Sequence, residues 1–196
     1  MSQPFIQAEI LGRRLTLETE PGLFSPGRVD RGTQAMLSRA HFEPGMKVLD
    51  LGCGCGVVAI LAAQACGEEN VILSDVDPLA VEVARRNAAR NGVPGVKVVL
   101  SDGFSQLDAS GFDLILSNPP YQSDFSVAKG FIEKGFNRLK LGGRLLMVTK
   151  RREWYRNKIS HIFGGVRIHE IDGYFVFEAE RREWRYADRA KKPREK

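Results

Sequence analysis

The sequence predicts an α/β fold, a seven-stranded and mostly parallel sheet with helices on both faces. Through the middle of the chain, short apolar runs alternate with longer amphipathic segments, as in parallel strands joined by crossover helices. A glycine-rich turn at residues 52–56 follows the first of these runs. Near the end, Asp172-Gly173 joins two runs rich in β-forming residues, which predicts a tight antiparallel hairpin.

The N-terminal elements come first. Residues 5–10 and 15–18 are strand-like and flank Gly12-Arg13, so a small hairpin is expected there. We assign residues 1–40 to an N-terminal extension that holds this hairpin and a helix. Residues 41–182 form the predicted core, and residues 183–196 form a basic C-terminal tail.

The core elements follow in a regular order. Residues 46–51 are a buried apolar strand, and the glycine-rich turn opens a helix at 57–66. A second strand at 71–75 precedes a helix at 78–90, which ends at the C-cap pair Asn91-Gly92. The remaining parallel elements are strands at 96–100 and 112–117, an amphipathic helix at 125–139 that stops before Gly142-Gly143, and a strand at 144–149.

The last elements close one edge of the sheet. A helix is predicted at 153–163, followed by strands at 166–171 and 174–180 on either side of Asp172-Gly173. This order places an antiparallel strand at one edge of an otherwise parallel sheet.

The composition bounds the class of protein. Hydrophobic residues make up 43% of the chain and charged residues 27%, a normal globular balance. No run approaches the roughly 18 apolar residues that span a bilayer, and the first residues lack the basic and apolar regions of a signal peptide. The three cysteines do not form a disulfide framework, and Cys53, Cys55 and Cys66 lack a zinc spacing. We therefore expect a cytoplasmic protein with no membrane association and no metal.

Charge is unevenly placed along the chain. Residues 1–149 carry 15 Lys/Arg against 16 Asp/Glu, whereas residues 150–196 carry 14 against 8. Such a basic end fits a polyanionic partner such as RNA. An ordinary solvated helix and tail would give the same pattern, so both interpretations stay open.

The glycine-rich turn predicts a ligand site. Glycines between a strand and a helix let the backbone turn tightly and let a ligand approach closely. The spacing is G-x-G-x-G after Asp50, which would repel a pyrophosphate but attract a cofactor that carries an ammonium and a sulfonium. Asp75 ends the second strand, where a carboxylate can accept hydrogen bonds from both ribose hydroxyls.

Two further acidic residues follow strand ends. Asp77 is predicted to be the N-cap of the helix that starts at Pro78. Asp102 follows the third strand and is expected either to accept from an adenine amino group or to cap a helix, while Phe104 would cover the adenine ring.

The segment Ser117-Asn118-Pro119-Pro120-Tyr121 ends the fourth strand and is the most informative of the chain. An exocyclic amino group is a poor nucleophile because its lone pair is delocalised into the adjacent π-system. The Asn118 side-chain oxygen and the Pro119 carbonyl are two acceptors for its hydrogens, and the prolines stiffen the chain around them. Tyr121 offers a face for stacking of a flipped base.

Together, DLGCGCG at 50–56 and SNPPY at 117–121 resemble the class I methyltransferases that modify amino nitrogens of adenine, guanine or glutamine. Within that class, GLFSPGRVDRGT at 22–33 is similar to the corresponding segment of small-subunit ribosomal RNA guanine-N2 methyltransferases. FGG at 163–165 and DGYFVF at 172–177 resemble the same group.

The resemblance implies a Rossmann-like fold, S-adenosylmethionine as cofactor and ribosomal RNA as partner. It implies substrate contacts from Asp30, Thr33 and Tyr121, and a catalytic segment of Asn118, Pro119, Pro120 and Tyr121. The residues expected at the cofactor are Asp50, Gly52, Cys53, Gly54, Gly56, Asp75, Val76, Asp102, Gly103 and Asn118.

Two other functions remain open from the sequence. A glutamine-N5 methyltransferase of release factors shares NPPY but usually carries a helical domain ahead of its core, and residues 1–45 do not resemble one. A non-catalytic RNA-binding relic is the second alternative, and the intact Asn118-Pro119-Pro120-Tyr121 segment argues against it. The favoured prediction is methylation of guanine N2 or adenine N6 in ribosomal RNA.

Overall fold

The computed structural model describes residues 5–20, 23, 28–120 and 125–183. Its strands are β1 (Phe5–Ile10), β2 (Arg13–Glu18), β3 (Val48–Leu51), β4 (Val71–Asp75), β5 (Lys97–Leu100), β6 (Phe112–Ser117), β7 (Leu139–Thr149), β8 (Arg167–Ile171) and β9 (Tyr174–Glu180). Its α-helices are α1 (Arg31–Leu37), α2 (Val57–Cys66), α3 (Pro78–Arg90), α4 (Phe125–Arg138) and α5 (Glu153–Phe163). No helix within the described ranges is long and apolar enough to cross a membrane.

The main sheet confirms the predicted fold. Its seven strands lie in the order β5-β4-β3-β6-β7-β9-β8. The first five are parallel, and β9 runs antiparallel to both of its neighbours. One antiparallel strand is therefore inserted near one edge, as the hairpin at Asp172-Gly173 predicts. The N-terminal strands β1 and β2 form a separate two-stranded antiparallel sheet.

Helices cover both faces of the sheet because successive side chains of each central strand point in opposite directions. Leu114 and Leu116 of β6 belong to the core beneath α2, whereas Ile115 packs with α4 and α5. All three side chains are fully buried. Such doubly buried strands explain the continuous apolar runs in the sequence.

The fifth predicted strand begins earlier than expected, at Leu139 rather than at residue 144. Pairing with β6 passes from Phe112↔Leu139 to Leu114↔Arg144, so a bulge holds the intervening residues. A Cβ on Gly143 would lie 2.6 Å from the Phe112 carbonyl oxygen, which explains the glycine there. The pair Gly142-Gly143 therefore shapes a bulge within the strand instead of preceding it.

The N-terminal hairpin is joined to the core by Asn87, a fully buried residue of α3. Its side-chain oxygen accepts a hydrogen bond from the Glu18 backbone N–H at 2.7 Å. Its amide nitrogen donates to the carbonyls of Glu18 and Cys55, both at 2.9 Å. One side chain thus connects β2, α3 and the glycine-rich turn.

Candidate active site

The carboxyl ends of β3, β4, β5 and β6 open into a cavity of about 330 Å³. Ligands of doubly wound sheets bind at this edge, where the connections leave the strands. The described residues that line the cavity include the three strand-end acids Asp50, Asp75 and Asp102 and the segment 118–120. The fold therefore brings the predicted motifs together from positions more than 60 residues apart in sequence.

The glycine-rich turn forms one wall of this cavity. The backbone N–H groups of Gly52 and Cys53 donate to the Ser74 carbonyl at 2.9 and 3.0 Å, which fixes the turn against β4. Gly54 has a positive φ of 52°, and a Cβ there would meet no atom within 4 Å. Its position on the cavity wall leaves this space available to a ligand.

Gly56, one of the residues predicted at the cofactor, has a different role. It is absent from the cavity lining among the described residues, and a Cβ there would lie 3.2 Å from the Ala84 Cβ. With a φ of 88°, its backbone also lies in the left-handed region that favours glycine. Gly56 therefore permits close packing of the turn against α3.

The two carboxylates nearest the turn have different surroundings. Asp50 is only 2% exposed, and its carboxylate accepts a hydrogen bond from the Ala59 N–H at 3.2 Å. Burial, together with the nearby charge of Asp75, raises the pKa of Asp50 to about 7. The carboxylate of Asp75 is half-buried and accepts hydrogen bonds from the N–H groups of Gly54 at 2.9 Å and Asp77 at 3.0 Å.

The raised pKa of Asp50 predicts a loss of stability as the pH rises. Ionisation is less favourable in the folded chain than in the unfolded one, where the ordinary pKa is 3.8, so stability falls between about pH 4 and pH 7. Asp50→Asn removes this titration while keeping the shape of the side chain. We expect the difference in melting temperature, Asp50→Asn minus parent, to be more positive at pH 8 than at pH 4.5. An equal difference at both pH values in thermal unfolding would contradict the assignment.

Asp77 and Asp102 lie farther along the same edge. Asp77 accepts a hydrogen bond from the Leu79 N–H at 2.9 Å and is the N-cap of α3, as predicted. Asp102 is exposed on the cavity wall, and residues 103–106 form turns rather than a helix for it to cap. Gly103 and the 65% exposed Val76 also line the cavity.

The aromatic side chain of the wall differs from the one expected. Phe104 is buried in the core that contains α4 and does not line the cavity. Phe131 of α4 lines it instead, and its ring lies 3.2 Å from the position of a Cβ on Gly103. Phe131 lies in a segment whose sequence pattern predicts an amphipathic helix. That pattern does not distinguish a residue that lines a cavity from one that lies in the core.

The thiols in the cavity wall remain protonated at neutral pH. Cys53 and Cys55 both line the cavity. Burial raises the pKa of Cys55 to about 11 and that of Cys53 well above its usual value. Because the thiolate is the nucleophilic form, neither cysteine is suited to covalent chemistry.

Asn118 lies beside the cavity at the end of β6. Its amide nitrogen donates to the Asp30 carboxylate at 2.8 Å and to the Thr33 hydroxyl at 3.0 Å. Asp30 is also the N-cap of α1 and accepts from the Thr33 N–H at 2.9 Å. The structure therefore unites Asp30, Thr33 and Asn118, and Pro119 and Pro120 line the same wall. Tyr121 lies outside the described residues.

Comparison with known proteins identifies the family. Residues 14–178 match the sequence profile of the methyltransferase small domain. Ribosomal RNA small subunit methyltransferase C of Cronobacter sakazakii is 37% identical over 161 residues, which cover 80% of this chain and 46% of that protein. The protein of the same name from Hahella chejuensis is 37% identical over 158 residues, with coverage of 79% and 46%. The chain thus spans about half the length of these relatives.

A solved structure gives the same result. The Thermus thermophilus 16S rRNA N2 G1207 methyltransferase (RsmC), in complex with AdoMet and guanosine, superposes with a TM-score of 0.84. It is 27% identical, and the match covers 93% of this chain and 52% of that one. TrmN from Thermus thermophilus superposes with a TM-score of 0.65 at 27% identity, covering 75% and 47%. On the match over residues 14–178, the chain belongs to the methyltransferase small domain family.

Proposed function

We propose that the protein is an S-adenosylmethionine-dependent N-methyltransferase that acts on guanine N2 of small-subunit ribosomal RNA. The observation that carries the proposal is the Asn118 amide, held beside a cavity whose wall contains a glycine-rich turn and strand-end carboxylates. The names of the relatives support ribosomal RNA as the substrate. The guanosine bound to the Thermus thermophilus neighbour supports guanine as the base.

The residues present fit S-adenosylmethionine. Asp75 would accept the ribose hydroxyls, since each of its oxygens already holds a backbone N–H and retains a second lone pair. Asp102 would accept from the adenine amino group, with Val76, Gly103 and Phe131 forming the apolar surroundings of the base. The open space at Gly54 and the adjacent Asp50 suit a ligand that carries an ammonium and a sulfonium.

The remaining predicted cofactor residues also fit, with the exception of Gly56. Gly52, Cys53 and Asn118 line the cavity, whereas Gly56 supports the turn from behind. When bound, S-adenosylmethionine supplies an electrophilic methyl group on its sulfonium.

The chain's own residues would prepare the amine. The side-chain oxygen of Asn118 and the carbonyl of Pro119 would accept the two amino hydrogens, which favours a pyramidal nitrogen and directs its lone pair at the methyl group. These acceptors also stabilise the positive charge that develops on the nitrogen. Holding the two reactants together supplies much of the acceleration, so no nucleophilic residue is needed. Tyr121 would stack on the base.

The experiment that tests the proposal follows a labelled methyl group. The protein is incubated with labelled S-adenosylmethionine and unmodified small-subunit ribosomal RNA, and in parallel with a purified release factor. We expect label in the RNA, released by nucleoside digestion as N2-methylguanine. Label as N6-methyladenine would keep the assignment as an RNA N-methyltransferase and change the target base from guanine to adenine. Label in the release factor alone would favour the glutamine enzyme, and bound cofactor without transfer would favour a relic.

A basic segment at the same edge of the sheet supports an RNA substrate. Because Ser117 of β6 lies opposite Met147 of the parallel strand β7, Asn118 and Lys150 leave the sheet at the same edge. Lys150, Arg151 and Arg152 are all exposed there. The Lys150 ammonium lies 5.0 Å from the Tyr174 ring centroid, and the Arg151 guanidinium lies 5.0 Å from that of Phe125. Aromatic contacts orient these cations without neutralising them. An RNA substrate would also place the protein in the cytoplasm.

Neutralising this segment is expected to weaken RNA binding selectively. Lys150→Gln with Arg151→Gln should raise KM for RNA about tenfold at moderate salt while leaving the Kd of the cofactor unchanged. For RNA binding, log K falls as the logarithm of the salt concentration rises, and the magnitude of this slope should decrease by about 1 for each lost phosphate contact. The matched control is Lys97→Gln with Lys134→Gln, which removes two exposed charges, one at the first residue of β5 and one within α4. Equal effects of the two pairs would contradict a local RNA contact.

A further inference from the structure

We propose that Asp30 and Thr33 are positioning residues that determine which atom of the Asn118 amide faces the reacting amine. The inference rests on the proposed function, in which Asn118 touches that amine. It gives Asp30 and Thr33 a role different from the direct substrate contact that the sequence resemblance implies. Both residues lie on the cavity wall, but their hydrogen bonds to Asn118 define what they do there.

The hydrogen-bond partners of Asn118 fix the orientation of its side-chain amide. An ionised carboxylate only accepts hydrogen bonds, so the Asn118 atom 2.8 Å from Asp30 must be the nitrogen. The second hydrogen of the same nitrogen is directed to the Thr33 hydroxyl at 3.0 Å. Rotating the amide by 180° would place its oxygen against the carboxylate, which is repulsive. The pair therefore fixes Asn118 in one of its two orientations.

Hydrogen bonds and packing around α1 hold Asp30 and Thr33 in place. Asp30 is held by its own capping bond to the Thr33 N–H at 2.9 Å. The Gln34 side chain donates to the Val29 carbonyl at 3.0 Å and fixes the segment that enters α1. Met36 and Leu37, at the other end of this helix, are buried in the core with 1% and 0% exposure. A short helix anchored at both ends thus holds the acceptors in place before the substrate arrives.

The negative charge of Asp30 changes the acceptor strength of the Asn118 oxygen. A carboxylate that accepts from the amide nitrogen polarises the amide and makes its oxygen a stronger acceptor. The amine would gain positive charge as its bond to the methyl carbon forms and the carbon–sulfur bond breaks with its electron pair left on sulfur, and it would then release one of its two hydrogens to solvent as a proton. Asp30 therefore acts through Asn118 on the reacting nitrogen, more strongly in the transition state than in the ground state.

Thr33 variants test this role through kinetics. Thr33→Val removes the hydroxyl while keeping a similar shape, and it should lower kcat about tenfold with KM for RNA and the Kd of the cofactor unchanged. Thr33→Ser restores the hydroxyl and should recover most of the activity. Ser38→Ala is the control, because it removes a 2.7 Å hydrogen bond to the Ala35 carbonyl at the other end of α1. A Thr33→Val variant with parent kcat, or with only a raised KM for RNA, would overturn the proposal.

A second measurement does not depend on activity. In ¹⁵N-labelled protein, the side-chain amide resonances of Asn118 are assigned by their loss in Asn118→Ala. We expect slow hydrogen exchange of this amide in the parent, faster exchange in Thr33→Val and Asp30→Ala, and no change in Ser38→Ala. Parent protein that fails to methylate RNA would refute the proposed function. Fast exchange already in the parent would refute the positioning role on its own.

Discussion

Asn118→Ala is expected to reduce methyl transfer by about 10²- to 10³-fold while the cofactor still binds. The variant removes one of the two acceptors proposed for the amino hydrogens, and losses of this size follow when a preorganised polar group is removed from a transition state. The β6 backbone is fixed independently, because the Ser117 hydroxyl donates to the Leu51 carbonyl at 2.8 Å. Single-turnover transfer and calorimetric titration with S-adenosylmethionine measure the two properties separately.

The control for this prediction is Asn137→Ala, which changes an exposed asparagine of α4 outside the cavity lining. Its transfer rate should equal that of the parent. Full activity in Asn118→Ala would remove the basis of the proposed mechanism. Loss of cofactor binding in proportion to activity would instead indicate that the change has damaged the cavity as a whole.

Asp75→Ala has the second largest expected effect, a rise of about 10²-fold in the Kd of S-adenosylmethionine. The variant would lose two charge-assisted hydrogen bonds to the ribose, each of which contributes about 1.5 kcal/mol or more. It also frees the backbone N–H groups of Gly54 and Asp77, so the glycine-rich turn becomes less ordered. Isothermal titration measures the change directly.

Asp108→Ala provides the matched comparison, since Asp108 is exposed and outside the cavity lining. Its Kd should stay within about twofold of the parent value. If Asp75→Ala binds as tightly as the parent, the ribose contact must come from another residue. If Asp75→Ala binds weakly and also melts at a much lower temperature, its structural bonds account for part of the effect.

The sheet was predictable because its signals are local. The apolar run that becomes β4 and the capped segment that becomes α3 can each be recognised within a few residues, and both bounds agree with the structure. The start of β7 was missed because the bulge at Gly142-Gly143 depends on β6 and on Arg181, whose carbonyl accepts from the Gly142 N–H. Turn-forming glycines have the same local pattern whether they end a strand or shape a bulge within it.

The structure brings together those predicted site residues that follow a strand end. Parallel strands bring their carboxyl ends together, so Asp50, Asp75 and Asn118 converge on one cavity. The bond between Asp30 and Asn118 spans 88 residues and has no local signal. Phe131 likewise has no local signal that marks it as a cavity residue, because it occupies the same helical spacing as a core residue.

The bonds of Asn87 have a consequence for shortening the chain from its N-terminus. A truncated protein that starts after β2 would lack Glu18, so the Asn87 amide would lose its two bonds to the Glu18 backbone. The same amide donates to the Cys55 carbonyl of the glycine-rich turn. The remaining core would still contain every motif residue of the cavity. It would nevertheless bind its cofactor with a turn that has lost part of its support. The hairpin is therefore a scaffold of the binding turn, and a minimal catalytic fragment must include it.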